Sequence, residues 1–145
     1  MLFSSTCQHA LRALIYLALH KDRWPILVRE IAAEEAIPRP FLSKILHDLN
    51  KRGLVASSKG PGGGYALARD PDSITIMEVV SAIDGTVELD EHCVLGLDEC
   101  SDDHPCALHE FWKSFRTQYV GTMVNLSLSE AAKTLRFKRD STSAV

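Results

Sequence analysis

Apolar residues near the start of the chain recur at the three- and four-residue spacing of an amphipathic helix. The apolar positions are Leu11, Leu14, Ile15, Ala18 and Leu19. Ser4 offers an N-cap oxygen just before them, so the pattern predicts a first helix from about residue 5 to residue 21. A second, shorter helix is predicted from about Leu27 to Glu35, with the apolar residues Val28, Ile31 and Ala32 buried.

A third helix is predicted from about Arg39 to Arg52, with Pro40 at its first helical position and Gly53 ending it. Its core stripe has the i, i+3, i+4, i+7 spacing of a half-buried helix. The stripe consists of Leu42, Ile45, Leu46 and Leu49. Two short helices joined by a tight turn at Ile37 and Pro38 form a helix-turn-helix.

The stretch that follows, LVASSKGPGGGYALAR, predicts a β-hairpin. Its strands are 54–58 and 65–68, and the turn is 60–64. A hairpin directly after a helix-turn-helix makes a winged helix. A phosphate-binding loop is disfavoured, because no Gly-Lys-Ser/Thr follows the glycines and a strand stands where a helix should begin.

The second half of the chain predicts further helices around one long loop. A helix over 73–85, capped near Thr75, precedes a loop over 86–105 and a long helix from about Cys106 to Val124. Ser127 or Ser129 caps a final short helix, and the chain from Lys138 onward is expected to fray. The predicted fold is mostly α with a small β-hairpin wing. We divide it into a DNA-binding domain (1–85), a cysteine loop (86–105), dimerisation helices (106–134) and a flexible tail (135–145).

The composition of the chain indicates its cellular compartment and, through that, the chemistry of its cysteines. None of its apolar runs reaches the roughly 18 residues needed to span a bilayer, and it lacks the features of a secretory signal. We therefore expect a cytoplasmic protein without a membrane partner. Since thiols stay reduced there, clustered cysteines indicate metal, cluster or redox chemistry sooner than a structural disulfide.

The net charge of −3 hides an uneven distribution. Residues 39–69 contain six Lys or Arg residues against Asp48 alone, whereas residues 84–110 contain nine carboxylates and no Lys or Arg. The basic stretch is a candidate surface for double-stranded DNA. Its candidate contacts are Arg39, Ser43, Lys44 and His47 for base edges, Lys51 and Arg52 for phosphates, and Lys59 and Pro61 in the wing. The alternative is a winged helix that binds another protein.

The last long helix carries a repeating apolar seam, which indicates a homodimer interface. The seam residues are Leu108, Phe111, Trp112, Phe115, Tyr119 and Met123. A role in the chain's own core is the alternative. Two-fold pairing would place two recognition helices about 34 Å apart, which suits a palindromic operator.

Three of the four cysteines have the spacing Cys93-x6-Cys100-x5-Cys106, and His109 follows at x2. Because neither pair of cysteines has the short spacing of a zinc knuckle, an iron–sulfur cluster is favoured. Zinc, a thiol–disulfide switch and coincidence remain open. Cys106 and His109 are expected to share one face at the start of the long helix, whose N-terminus favours a thiolate. The nearby carboxylates are interpreted as a solvated loop surface.

Several segments together resemble the IscR/NsrR (Rrf) family of bacterial iron–sulfur transcription regulators over residues 4–134. They are SSTCQHALRALIYLA, the KGPGGGY wing, MEVVSAIDG and the three cysteines before C-x2-H. The resemblance implies a homodimeric winged helix on palindromic DNA with a 2Fe–2S or 4Fe–4S cluster, of which we favour 2Fe–2S. It implies Cys93, Cys100 and Cys106 as cluster ligands, with His109 as the fourth.

Two departures from the family pattern leave the fourth ligand open. The gap after Cys93 is six residues where the IscR branch usually has five. The NsrR branch takes an acidic ligand from the partner subunit near position 8, where this chain has Gln8 flanked by Cys7 and His9. We interpret Cys7 as a buried, inert thiol and His9 as solvent-facing.

The sequence therefore predicts a transcriptional regulator, a repressor by preference, and not an enzyme. A cluster would sense iron–sulfur status, nitric oxide or redox state and set operator affinity. The alternatives are a zinc-stabilised or cluster-free, thiol-responsive regulator and, less favoured, a small metalloenzyme that uses His109.

Overall fold

A computed structural model describes residues 2–85, 92–97 and 99–142 of the 145-residue chain. Its elements are α1 (Ser5–Leu19), α2 (Val28–Glu35), α3 (Arg39–Lys51), β1 (Val55–Ser58), β2 (Gly64–Leu67), α4 (Ile76–Asp84), α5 (His109–Asn125) and α6 (Leu128–Thr142). The predicted fold class, mostly α with one hairpin, is confirmed. None of the described helices is both long and apolar enough to cross a membrane.

Helix α1 lies at the centre of the core. Its N-cap is Ser4, whose hydroxyl accepts a hydrogen bond from the backbone N–H of Cys7 at 3.0 Å. The fully buried residues of α1 are Cys7, Ala10, Ala13, Leu14 and Leu17. The helix ends at Leu19, two residues earlier than predicted, because residues 21–23 form a separate 3-10 turn.

Helices α2 and α3 form the predicted helix-turn-helix. Ala36 ends α2 in the left-handed conformation, with φ of 50°, and this residue turns the chain towards α3. The predicted core stripe of α3 is buried along its whole length: Leu42, Ile45, Leu46 and Leu49. Pro40 is the second helical residue and not the first. With the apolar stripe on the core, the opposite face of α3 is left to solvent.

The wing is anchored to the segment before α2 by close backbone contact. Strands β1 and β2 pair antiparallel, and Ile26 and Tyr65 exchange two backbone hydrogen bonds of 2.8 Å each. Gly64 has φ of 137°, and a Cβ there would lie 2.3 Å from the Ile26 carbonyl oxygen. A glycine is therefore required at position 64, which explains part of the GPGGGY turn.

The C-terminal helices are joined to the helix-turn-helix half at two places. The backbone N–H of Ile76 donates to Leu126, and that of Leu128 donates to Ile74, each at 2.8 Å. Thr75 and Glu78 form a capping box that begins α4 beside this junction. The described chain is thus continuous in packing from α1 to α6, whereas residues 86–91 of the predicted loop lie outside the described residues.

The tail predicted from residue 135 is helical up to Thr142, which corrects the sequence prediction. Ser127 and Glu130 form a capping box that starts α6. Far along α6, Arg139 donates two hydrogen bonds of 2.8 and 2.9 Å to the carboxylate of Glu35. The Glu35 side chain is fully buried and also pairs with Arg12 at 3.2 Å. This contact attaches the C-terminal part of α6 to the core, although its polar sequence is typical of a disordered terminus.

Replacing Glu35 by Ala should lower the free energy of unfolding by about 1–3 kcal/mol, because a buried carboxylate that joins α1, α2 and α6 is lost while both arginines reach solvent. Chemical denaturation followed by circular dichroism measures the change. Glu34→Ala, an exposed neighbour on α2, is the matched control. An equal loss of stability in the two variants would contradict this role of Glu35.

Candidate cluster site and nucleic-acid interface

The described part of the cysteine loop is folded back on itself beside α5. His92 and Glu99 form an isolated antiparallel bridge, and the backbone N–H of Gly96 donates to the carbonyl of Cys93 at 2.9 Å. The indole N–H of Trp112 donates to the carbonyl of His92 at 3.2 Å and so holds the loop on α5. This fold brings Cys93 and Cys100 to the same side of the loop.

All four predicted ligands line one cavity of about 520 Å³. The Sγ atoms of Cys93 and Cys106 lie 3.5 Å apart, and Cys100 Sγ lies 3.3 Å from Nδ1 of His109. Two donors on one tetrahedral metal ion are separated by roughly 3.3–3.8 Å when the bonds are about 2.0–2.3 Å long. Each pair is therefore spaced to share one metal ion.

Helix α5 begins at His109, three residues later than predicted, so Cys106 is not on the helix. Cys106 lies in the preceding turn, where its carbonyl accepts a hydrogen bond from the backbone N–H of His109 at 3.1 Å. The expectation that Cys106 and His109 share one face of the helix is therefore wrong. At Cys93, a hydrogen bond from the backbone N–H of Leu95 lowers the pKa of the thiol.

One face of α5 holds the cysteine loop through His109, Lys113 and Arg116, at positions i, i+4 and i+7. Lys113 donates to both carboxylate oxygens of Asp102 at 2.7 and 2.8 Å, and Nε2 of His109 lies 2.8 Å from the same carboxylate. Arg116 reaches Cys100 Sγ at 3.9 Å. The ion pair with Lys113, more than the contact with His109, lowers the pKa of Asp102 and in turn raises that of Lys113.

The Asp102 carboxylate is 67% exposed, as interpreted for the loop carboxylates, but it is also paired with Lys113. Among the described residues, donor atoms of Asp102, His109 and Glu110 lie within 4.8 Å of one another. That group contains no cysteine, and Asp102 is already paired with Lys113. The other described carboxylates, Glu99 and Asp103, are exposed.

The three residues at the start of α1 differ in their surroundings. Cys7 is fully buried, and burial, followed by the nearby charge of Asp84, raises the pKa of its thiol to about 12. The expected inert thiol is thus present. Gln8 donates to the carbonyl of Phe3 at 3.4 Å. His9 is not simply solvent-facing: its ring packs edge-on against Phe41, and its Nδ1 is buried without a partner among the described atoms.

Seven of the eight candidate DNA-contacting residues are exposed to solvent. Ser43 is half-buried, and the others are exposed: Arg39, Lys44, His47, Lys51, Arg52, Lys59 and Pro61. The cations among them form no ion pair within the described part of the chain, in contrast to Lys21, Arg23 and Arg69, which are paired with carboxylates. Their charge is therefore available to a polyanion.

Sequence reasoning missed Arg29. It lies on α2, is exposed, and lines a cleft of about 390 Å³ together with Arg39, Pro61 and the wing glycines. Because Arg29 stands among glutamates in the sequence, counting charge between residues 39 and 69 overlooked it. The hairpin's contact with Ile26, which brings the wing beside α2, is the structural reason that this arginine joins the basic surface.

The predicted dimer seam divides between surface and interior. Leu108 is 41% exposed and Phe111 66% exposed, whereas Tyr119 is only 7% exposed. The rings of Phe111, Phe115 and Tyr119 follow one another along α5 with centroid separations of 6.4 and 6.0 Å. Trp112 packs on Phe115 at 5.6 Å, and Met123 packs on the core. The intrachain role therefore applies to Tyr119 and Met123, and an open apolar surface remains near the start of α5.

Known proteins with the same sequence pattern are transcriptional regulators. The Rrf2 family model, described as an iron-dependent transcriptional regulator, matches residues 3–134. A protein of Aquifex aeolicus that carries the name of an HTH-type transcriptional regulator is 47% identical over 120 residues, which cover 81% of this chain and 82% of that protein. The regulator IscR of Escherichia coli O1:K1 / APEC is 32% identical over 130 residues, covering 90% of this chain and 79% of IscR.

The fold is likewise that of a solved regulator. The structure of CymR, the global cysteine regulator of B. subtilis, superposes with a TM-score of 0.77 at 24% identity and covers 91% of this chain and 96% of CymR. These relatives are regulators and not enzymes, as the sequence predicted. The chain therefore belongs to the Rrf2 family and is a DNA-binding transcriptional regulator with a winged-helix fold.

Proposed function

We propose that this regulator is a repressor whose affinity for its operator is set by an iron–sulfur cluster bound through Cys93, Cys100, Cys106 and His109. The observation that carries the proposal is the cavity that all four side chains line. The description of the family, an iron-dependent transcriptional regulator, agrees with an iron cofactor in this chain. When bound, the cluster supplies iron that responds to oxidation, nitric oxide and iron–sulfur supply.

The iron dependence in the family's description, more than the spacing of the donors, favours an iron–sulfur cluster over a single zinc ion. The donors form one pair of thiols at 3.5 Å and one thiol–imidazole pair at 3.3 Å. A structural zinc ion needs all four donors around one point. A 2Fe–2S centre would take two donors on each iron, and histidine can replace cysteine there, so two pairs of donors in one cavity are compatible with it.

Helix α3 and the wing are the proposed DNA-reading elements. The first turns of α3 present Arg39, Ser43 and Lys44 to base edges in the major groove, and His47 lies one turn further along. Lys51 and Arg52 would bind phosphates. The wing, fixed against Ile26, would carry Pro61 to the edge of the minor groove and Lys59 to the phosphates beside it. Arg29 extends the same basic surface and is assigned to phosphate contact.

A homodimer on a palindromic operator is the proposed assembly. The apolar side chains near the start of α5, whose rings contact one another, would pack against a second copy, whereas Tyr119 is buried. The proposed contact residues are Leu108, Phe111, Trp112 and Phe115, while the other two seam residues, Tyr119 and Met123, pack in the chain's own interior. Two-fold pairing through α5 would fix the spacing of the two α3 helices, so a change at α5 changes the fit to DNA.

Coupling between cluster and DNA is proposed to run along α5 and α6. Of the proposed ligands, His109 lies at the start of α5, and the three cysteines lie in the loop that is held there. At the other end, Leu126, directly after α5, accepts a hydrogen bond from the backbone N–H of Ile76. Helix α6 continues from there to the Arg139–Glu35 contact at the end of α2. Release of the cysteine loop would free the start of α5 and thereby alter the position of the reading heads.

Protein purified without oxygen should be brown and contain about two iron and two sulfide per chain. Cys93→Ser, Cys100→Ser and Cys106→Ser should each lose most of both, because a thiolate ligand is removed. Iron and sulfide analysis with absorption spectra measures this. Cys7→Ala is the matched control and should keep the cluster, since Cys7 is sealed in the core. Colourless wild-type protein with one zinc ion per chain would contradict the proposal.

Lys44→Ala should weaken binding to an operator selected from random duplexes by about 1–3 kcal/mol, because a base contact is lost. Lys59→Ala should weaken binding to every duplex and reduce the salt-dependence slope by about one, as expected for a phosphate contact. Fluorescence anisotropy at several salt concentrations measures both. Lys133→Ala, an exposed cation on α6, is the control. Unchanged affinity in both test variants would exclude this surface.

A thiol–disulfide switch is the second candidate function, because Cys93 and Cys106 place their sulfurs 3.5 Å apart as free thiols. Mild oxidation of metal-free protein with diamide should then form a disulfide between them, which peptide mass spectrometry detects, and change operator affinity. Cys93→Ser should abolish both effects. If oxidised, metal-free protein binds the operator as the reduced form does, the switch is excluded.

A further inference from the structure

We propose that Asp102 is the positioning residue that presents His109 to the cluster through Nδ1. Asp102 does so by accepting a hydrogen bond from Nε2 of the same ring. This role rests on the proposed function, because it requires His109 to be a ligand. It concerns a loop carboxylate that touches no metal itself.

The two ring nitrogens of His109 face different partners. His109 is only 3% exposed, its Nδ1 lies 3.3 Å from Cys100 Sγ, and its Nε2 lies 2.8 Å from Oδ1 of Asp102. An ionised carboxylate can only accept a hydrogen bond, so Nε2 carries the proton in this contact. In a neutral imidazole the lone pair is then on Nδ1, beside the cysteine that lines the same cavity.

Lys113 holds Asp102 in the position that this role requires. The Asp102 side chain is 67% exposed, so packing alone does not orient it. Both of its oxygens accept from the Lys113 ammonium, which lies one helical turn after His109 on the same face of α5. The chain Lys113–Asp102–His109 thus fixes the imidazole from the solvent side, opposite the cavity.

A carboxylate behind a metal-bound histidine has a known physical effect. It selects one tautomer, fixes the ring and raises the basicity of the ligating nitrogen, and its loss typically costs about 10–100-fold in metal affinity. Asp103 is adjacent in sequence, carries the same charge and is exposed. The described contacts of His109 involve Asp102 and not Asp103. Replacing Asp103 therefore removes the same charge without removing the hydrogen bond, which makes it the matched control.

The experiment compares Asp102→Ala with Asp103→Ala in anaerobically reconstituted full-length protein. Asp102→Ala should lose iron to a chelator about 10–100-fold faster than wild type. Pulsed EPR of the reduced cluster, with 15N-labelled histidine, should show an altered hyperfine coupling of the ligand nitrogen. Asp103→Ala should match wild type in both measurements. Asp102→Asn keeps an oxygen acceptor and should fall between Asp102→Ala and wild type.

The outcomes separate this role from the proposed function. A wild-type cluster whose iron release and nitrogen coupling are the same in Asp102→Ala as in Asp103→Ala overturns the role of Asp102 alone. A wild-type protein that takes up no iron and sulfide overturns the proposed function and, with it, the role of Asp102. A purely structural effect of Asp102→Ala would speed iron release but leave the nitrogen coupling unchanged, and that result also overturns the proposal.

Discussion

The attachment of the cysteine loop to the first turns of α5 is the constraint on which the candidate site depends. In its described part, the loop is attached to α5 by side chains that include His109, Lys113 and Arg116, at helical spacing. Because these positions face one side of a helix, one rigid element orients both the imidazole and the polar groups behind it. The position of the candidate site therefore depends on the position of the first turns of α5.

The same helix connects the site to the DNA-reading half. Helix α5 spans 17 residues, or about 25 Å at 1.5 Å per residue, and Leu126, directly after it, accepts a hydrogen bond from the backbone N–H of Ile76 at the start of α4. Helix α6 then returns to α1 and reaches the buried Glu35 through Arg139. Allosteric coupling between two sites is typically about 1–3 kcal/mol, or roughly 5–150-fold in affinity. A small shift of α5 and α6, which contact both the cysteine loop and the helix-turn-helix half, would be enough to produce it.

The sequence predicted those features that depend on local pattern. The stripe of α3, the hairpin and the Thr75 cap follow from periodicity and capping chemistry, and cysteine spacing identified the residues that line the cavity. Features that depend on distant contacts were missed. Arg139 orders a polar tail by reaching a carboxylate 104 residues away, and the wing brings Arg29 onto the basic surface. The role of Asp102 required knowing which way the ring of His109 faces.

The most direct test of the account is the operator affinity of one anaerobic sample, measured before and after its iron is removed. The account predicts an affinity change of about 5–150-fold, restored when iron and sulfide are added back. It also predicts no such change in the triple variant with serine at positions 93, 100 and 106. If the protein binds an iron–sulfur cluster but its operator affinity is the same with and without that cluster, the central claim that the cysteine loop on α5 controls operator affinity is contradicted.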